Sequence, residues 1–174
     1  IAKRCKLTKG AIYHYYKGKQ DILLAIIERV EKELLKPAEE GAEDKTVSCK
    51  TRLLSLFRAH ARYAYDNPDD FMLLIVVAIE FSRGAGQVSQ KINEIFDRMI
   101  QTFRDIIHEG CRSGEFTSSI PEEALALVIV GNYTGNVLEW YRSGRDPDVG
   151  VAVVNAQRSM VLQALLGREG AELR

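Results

Sequence analysis

Near its start the chain reads KLTKGAIYHYYKGKQDILLAII, from Lys6 to Ile27, setting Tyr13, His14 and Tyr15 among Lys9, Lys17 and Lys19. Flat rings with polar edges beside cations suit an anionic, flat-sided partner better than a core, which would take the bulk without the charge. On a helix opening with Thr8 as N-cap, Ile12 and Tyr16 share one side at i, i+4 spacing and anchor it. Gly10, Ala11, Tyr13 and His14 occupy the other side. The small residues permit close approach, and the Thr8 and Lys9 end offers free backbone N–H groups and a positive dipole. Tyr13 and His14 can donate to phosphate oxygens, while Ala11 and tyrosine ring atoms can meet a thymine methyl. Lys19 opens the next helix after Gly18, where its ammonium and the first amides can grip one phosphate together.

The preceding IAKRCKL has the character of a supporting helix end, with a tight turn at Lys6 to Thr8. Two helices so joined make a helix-turn-helix, whose second helix enters the major groove. On bulk and charge alone the alternative is a solvated basic helix pair. Charge distribution bears on the choice: residues 1–19 carry Lys3, Arg4, Lys6, Lys9, Lys17 and Lys19 and no acid, a local +6 in a chain of net charge zero. A basic end on an acidic body attracts polyanion at one place and repels it elsewhere. Because the chain opens at Ile1 and not at methionine, a preceding segment is expected.

Other chemistries find little support. His14, His60 and His108 form neither HExxH nor an i, i+4 pair, and RGAGQVS at 83–89 lacks the lysine of a phosphate loop. No GxSxG is present. Cys5, Cys49 and Cys111 are odd in number without CxxC spacing, which fits free thiols in a reducing cytosol better than a disulfide framework or zinc site. The sequence therefore predicts no enzyme, no cofactor and no metal. The longest unbroken apolar run, Phe71 to Ile79, stops at Glu80, short of the roughly 20 residues of a membrane span. No membrane partner and a cytoplasmic location are expected.

The elements that must carry this end are all helical. Prolines fall at 37, 68, 121 and 147, each taken as a break between stretches of helical periodicity, and no stretch alternates as a strand does. The expected fold class is all-α, with helices at 19–36, 47–66, 68–82, 88–113, 121–143 and 147–166. A head over 1–36 would join a body over 37–174. In 88–113, Ile92, Ile95, Phe96, Met99, Ile100, Phe103, Ile106 and Ile107 fall on one stripe, stopped by Gly110, with Gly114 available for a left-handed closing turn.

The last two helices are apolar on opposed faces. Helix 121–143 sets Ala124, Leu127, Val128, Gly131, Gly135 and Leu138 against Ile129, Val130, Tyr133, Val137 and Trp140. Two faces need two partners, and a second copy of the chain is the economical one, giving a four-helix interface about a two-fold axis. The sequence does not choose the face. Val130, Tyr133, Val137, Trp140, Val154, Val161 and Leu165 are named as the candidate dimer interface. Gly131 and Gly135, each costing about 1 kcal/mol against alanine inside a helix, suit close backbone approach, most simply a helix crossing.

The segment LTKGAIYHYYKGKQDILLAIIERV resembles the recognition helix and following helix of TetR-type bacterial transcriptional repressors. Their pattern runs Val-Ser-Lys-Gly-x-hydrophobic-Tyr-x-x-Phe-x-x-Lys-x-x-Leu. Leu7, Thr8, Lys9, Gly10, Ala11, Ile12, Tyr13, Tyr16, Lys19 and Ile22 or Leu23 occupy those places, and IIHEGCRSGEF resembles a further segment of the family. Tyr16 replaces the usual Phe, Gly18 replaces a better N-cap, and the family's first helix and most of its second are absent.

The resemblance implies a truncated helix-turn-helix head joined to a helical ligand-binding and dimerisation domain. It implies a homodimer on a palindromic double-stranded DNA operator, released by a small-molecule effector. Thr8, Lys9, Gly10, Ala11, Tyr13, His14, Tyr15 and Lys19 would face DNA, with Ala11, His14 and Tyr15 choosing sequence and Tyr13 and Lys19 holding phosphates. Candidates for an effector pocket are polar or aromatic residues on apolar faces: His60 first, then Asn132 and Asn136, then Tyr63, Phe81, Phe103 and Trp140. The competing class is a helical protein-interaction module without sequence-specific DNA binding, which gives no reason for a +6 end.

Overall fold

The computed structural model describes residues 14–81 and 83–170, with side chains to residue 166. Among these residues there are six helices and no strand: α1 Lys19–Glu43, α2 Cys49–Asp66, α3 Pro68–Phe81, α4 Gln87–Ser113, α5 Glu122–Arg142 and α6 Pro147–Gly170. The strongly amphipathic α4 lies at the centre, burying Ile92, Ile95, Met99, Phe103, Ile106 and Ile107, while Phe96 and Ile100 of the expected stripe are half-buried. Helices α1, α2, α3 and α5 pack around it, and α6 rests mainly on α5.

Helix α1 does not stop at Pro37 as expected but runs on to Glu43. A proline inside a helix removes one backbone donor and crowds the preceding turn, at a cost of about 3 kcal/mol. Here the turn beyond it is held by tertiary contacts. Ala38 and Ala42 are buried, and the Ala42 carbonyl accepts from Arg52 Nε at 2.6 Å. The boundary drawn at 36/37 therefore falls inside one continuous helix. Helix α2 begins two residues later than expected, where three acceptors hold its first amides: Ser48 Oγ takes Thr51 N–H at 3.1 Å, and the Glu115 carboxylate takes those of Cys49 and Lys50 at 2.8 Å each. Burial alone would push the Glu115 carboxyl up, but these hydrogen bonds outweigh it and hold it below the ordinary value.

Gly110 is not the stop of α4. It lies buried inside the helix, and the Phe116 ring sits where its side chain would be: a Cβ there would stand 2.2 Å from Phe116 Cδ2. The helix ends three residues later, and Gly114 takes the expected left-handed conformation at φ 78°. Phe116 N–H then donates back to the Gly110 carbonyl at 3.0 Å, folding the ring onto the glycine.

The two faces of α5 separate cleanly. Ile129, Val130, Tyr133, Val137 and Trp140 are buried in the chain's own core, as are Val161 and Leu165 of α6. The bulkier face, named as the dimer interface, is thus occupied within the chain; only Val154 of that set is partly exposed. The opposite face carries Leu127 at 56 % and Val128 at 53 % exposure, and a Cβ at Gly131 or Gly135 would meet nothing within 4 Å. Among the described residues the glycine pair is therefore no crossing point between helices. By length and composition alone Pro147–Leu166 of α6 is long and apolar enough to cross a membrane, a test that core helices also pass. Its buried residues include Gln157, which donates to the Ile129 carbonyl at 2.8 Å.

The Gly110 and Phe116 contact predicts that Gly110→Ala, despite alanine's better helix propensity, lowers the unfolding free energy by about 1–3 kcal/mol through overpacking. Urea denaturation of the two proteins checks it. An unchanged or raised midpoint would remove Phe116 from this role.

Candidate functional site

Of the residues expected to face a polyanion, Thr8, Lys9, Gly10, Ala11 and Tyr13 lie outside the described residues. His14 and Tyr15 are helical and exposed, Tyr15 at 81 %, with their rings edge to face at 5.1 Å. Lys19 is exposed at the first position of α1, after Gly18, whose N-cap position supplies no side-chain acceptor. Lys17 and Lys19 make no ion pair among the described residues. The backbone N–H of Lys17 donates to Asp21 Oδ2 at 2.8 Å, fixing the approach of this segment to α1.

Ion pairs bind α1 to the body between Arg29 and Glu39. Arg98 of α4 donates to Glu31 at 2.8 Å and, through Nη2, to Glu39 at 2.7 Å, while Lys91 reaches Glu31 at 2.8 Å. Arg29 bridges Glu33 and Asp70 of α3 at 3.0 and 2.9 Å. Exposed pairs contribute little singly, but a fork-like guanidinium between two carboxylates fixes orientation. The position of α1, which begins at Lys19, therefore follows that of α3 and α4.

A cleft of about 620 Å³ opens between α2, α5 and α6. Its floor is Tyr133, Val137 and Trp140, and its walls are Ala61, Ala64 and Tyr65 of α2 and Gly150, Val151, Val153 and Val154 of α6. The Trp140 ring stacks on Tyr65 at 5.9 Å and lies so close to Gly150 that a Cβ there would sit 3.0 Å from its Cδ1. Arg58, Arg62 and Arg158 stand among the lining residues, with Asp66 the single acid; Arg62 Nε donates to it at 3.1 Å. The Nε1–H of Trp140 and the Nε–H of Arg158 are buried without an acceptor among the described residues. An unmet buried donor costs about 1–3 kcal/mol, and at Arg158 a bound acceptor would relieve it. A drug-sized, largely apolar molecule fits such a space.

Only part of the expected pocket gathers here. Asn136 lines the cleft, its Nδ2 donating to Gln157 Oε1 at 2.8 Å. His60 lies beneath, its ring 5.5 Å from that of Tyr133 and 5.6 Å from that of Phe103, and the Tyr133 hydroxyl donates to the His60 carbonyl. His60, Phe103 and Tyr63 are buried core residues, not lining ones. Phe81 lines a separate cavity of about 340 Å³ beside Gln20, Asp21 and Leu24, and Asn132 is exposed on the outer face of α5. Sequence reasoning missed the arginines, although Arg58, Ala61, Arg62 and Tyr65 at i, i+3, i+4 and i+7 mark one edge of α2.

Burial holds the His60 imidazole neutral and pushes its pKa down from 6.5 to about 4, and neither ring nitrogen has a partner among the described residues. Protonation is then easier in the unfolded chain, so stability is full above pH 6.5 and falls as pH drops toward 4, by a total on the order of 3 kcal/mol. Glu109 and Glu115, held below the ordinary carboxylate value, act lower on the scale. The thermal midpoint should fall between pH 6.5 and 4, and His60→Leu should flatten that limb. Equal slopes in the two proteins would mean that His60 is not the titrating group.

Residues 1–26 match the family described as "Bacterial regulatory proteins, tetR family", and residues 23–164 match "YsiA-like protein, C-terminal region". The chain is 26 % identical over 165 residues to the fatty acid metabolism regulator protein of Bacillus subtilis, covering 95 % of this chain and 82 % of that one. Among solved structures, the MbdR regulator from Azoarcus sp. CIB superposes with a TM-score of 0.80 at 29 % identity, over 95 % of this chain and 85 % of that one. The transcriptional regulator FadR from Bacillus subtilis, solved in complex with stearoyl-CoA, superposes with a TM-score of 0.71 at 25 % identity, over the same shares of the two chains.

Proposed function

Because the chain belongs to the TetR family of bacterial transcription regulators, and so to ligand-responsive DNA-binding proteins rather than enzymes, we propose that it is a repressor. It binds a palindromic operator as a dimer and is released by a small molecule held in the cleft between α2, α5 and α6. The observation that carries this is the pairing of an apolar cleft with an exposed basic-aromatic end on one ion-paired framework. Thr8, Lys9, Gly10, Ala11, Tyr13, His14, Tyr15 and Lys19 are the DNA-facing set, and the protein works in the cytoplasm, where its operator is.

The dimer is assigned to the exposed face of α5, with Leu127, Val128, Gly131, Gly135 and Leu138, and to Ala156 and Met160 of α6. Exposed bulk around two glycines with open space above them suits the close approach of a second α5. Two reading heads must then stand one DNA turn apart, roughly 34–36 Å, to engage both half-sites. An occupant of the cleft acts by favouring a different spacing. The relative solved with stearoyl-CoA makes fatty-acyl compounds the first effector class to try.

The test is gel retention of a fragment from the protein's own promoter region by the full-length protein. Tyr15→Ala and Lys19→Ala should each weaken retention about tenfold, with affinity falling steeply as salt rises. Addition of stearoyl-CoA should release the fragment. Gly131→Glu should leave a folded monomer by light scattering. Retention that ignores both salt and the two substitutions would favour a protein-interaction module instead.

A further inference from the structure

The cleft has a direction. Helices α2 and α5 run parallel beside it, since His60 lies against Tyr133 and Tyr65 against Trp140. Helix α6 runs the opposite way, since Gly150 meets Trp140 while Gln157 bonds Asn136. Arg58 and Arg158 therefore stand at one end on opposite walls, and the Tyr65 and Trp140 stack stands at the other. From Arg58 to Tyr65 is about 10 Å along α2, and from Arg158 to Gly150 about 12 Å along α6, at 1.5 Å per residue. Between them the walls are mostly valine, alanine and glycine, with Arg62 on α2 and Asn155 on α6 the polar exceptions.

The charges are unequally committed. Arg62, midway, is already paired with Asp66. Arg58 and Arg158 have no carboxylate partner among the described residues, and the Arg158 Nε–H is buried without an acceptor. Two guanidinium groups without a carboxylate partner among the described residues line one largely apolar trough and form a site for one anion on an apolar body, since such planar donors engage carboxylate and phosphate oxygens in pairs.

We propose that Arg58 and Arg158 are the two jaws of an anion clamp, so that the effector is an anionic amphiphile lying with its charged head between them and its tail against Tyr65 and Trp140. This rests on the cleft being the effector site, and it adds the ligand's charge, its direction and the residues that select it. The shared chemistry is an oxyanion, either the carboxylate of a free fatty acid or a phosphate of an acyl thioester carrier. A neutral body of the same length fills the trough but leaves the clamp unused.

Trp140 is the chain's single tryptophan and forms part of the floor, so its fluorescence reports occupancy of the tail end directly. The full chain is titrated with dodecanoate, 1-dodecanol and dodecanoyl-CoA below their micelle concentrations. At least one anion should bind about tenfold more tightly than the alcohol, an advantage of the size that charge-assisted hydrogen bonds supply. Arg58→Gln and Arg158→Gln should each erase that advantage without altering the alcohol's affinity, and Arg58→Lys should restore part of it. Arginine dependence with dodecanoate identifies a carboxylate head, and dependence with dodecanoyl-CoA alone identifies a phosphate.

Equal binding of alcohol and both anions, or variants that weaken all three alike, would overturn the clamp. Operator retention measured on the same samples separates the two proposals. Arginine-dependent binding that leaves DNA retention unchanged defeats the effector role and not the clamp. Release by an acyl compound that ignores both arginines defeats the clamp alone.

Discussion

The burial of one face of α4 is the interaction on which the rest depends. Ile92, Ile95, Met99, Phe103, Ile106 and Ile107 have almost no exposed surface, and each of α1, α2, α3 and α5 contributes to covering them. At about 25 cal/mol per Å² of apolar surface removed from water, such a stripe outweighs any single ion pair on the surface. The polar ties then choose among orientations that the apolar stripe alone would allow. Arg98 and Lys91 sit on the outer flanks of the same helix, so the element that organises the core also fixes the helix leading to the basic end.

The cleft arises from an incomplete version of the same packing. Helix α6 lies along α5 but makes far less contact with α2, and the space left between α2 and α6 is floored by the aromatic face of α5. Two residues set its shape. Gly150 lets the Trp140 ring come within ordinary contact of the α6 backbone, and Tyr133, whose hydroxyl is tied to the His60 carbonyl, closes off the core beneath. His60 is therefore a neutral core residue in an aromatic setting, though its polarity marked it in the sequence as a lining one.

Periodicity made the helices legible: α4 and its closing Gly114 fall where the apolar stripe and the left-handed glycine put them. What misled were local signals whose meaning depends on distant residues. Pro37 reads as a stop only if nothing beyond it is held, and Arg52, ten residues beyond Ala42, holds the Ala42 carbonyl. Gly110 reads as a terminator until Phe116 is folded back upon it. The two faces of α5 were visible, but which turns inward depends on how much bulk the neighbouring core can take, and periodicity contains no such quantity. The cleft was the least legible part because its lining comes from three helices, each showing an ordinary mixed edge.

The continuity of α1 through Pro37 has a mechanical meaning. Twenty-five residues without a break make a rod of about 37 Å, clamped by Glu39 near one end and by Glu31 at its middle, with Lys19 at the other tip. Such a rod is a lever, and a turn of about 5° about its clamped end carries the tip roughly 3 Å. That is about the pitch of one base step in duplex DNA. Had the proline cut the helix, Glu31 would still tie the near half to α4, but the second hold at Glu39 would belong to a separate piece.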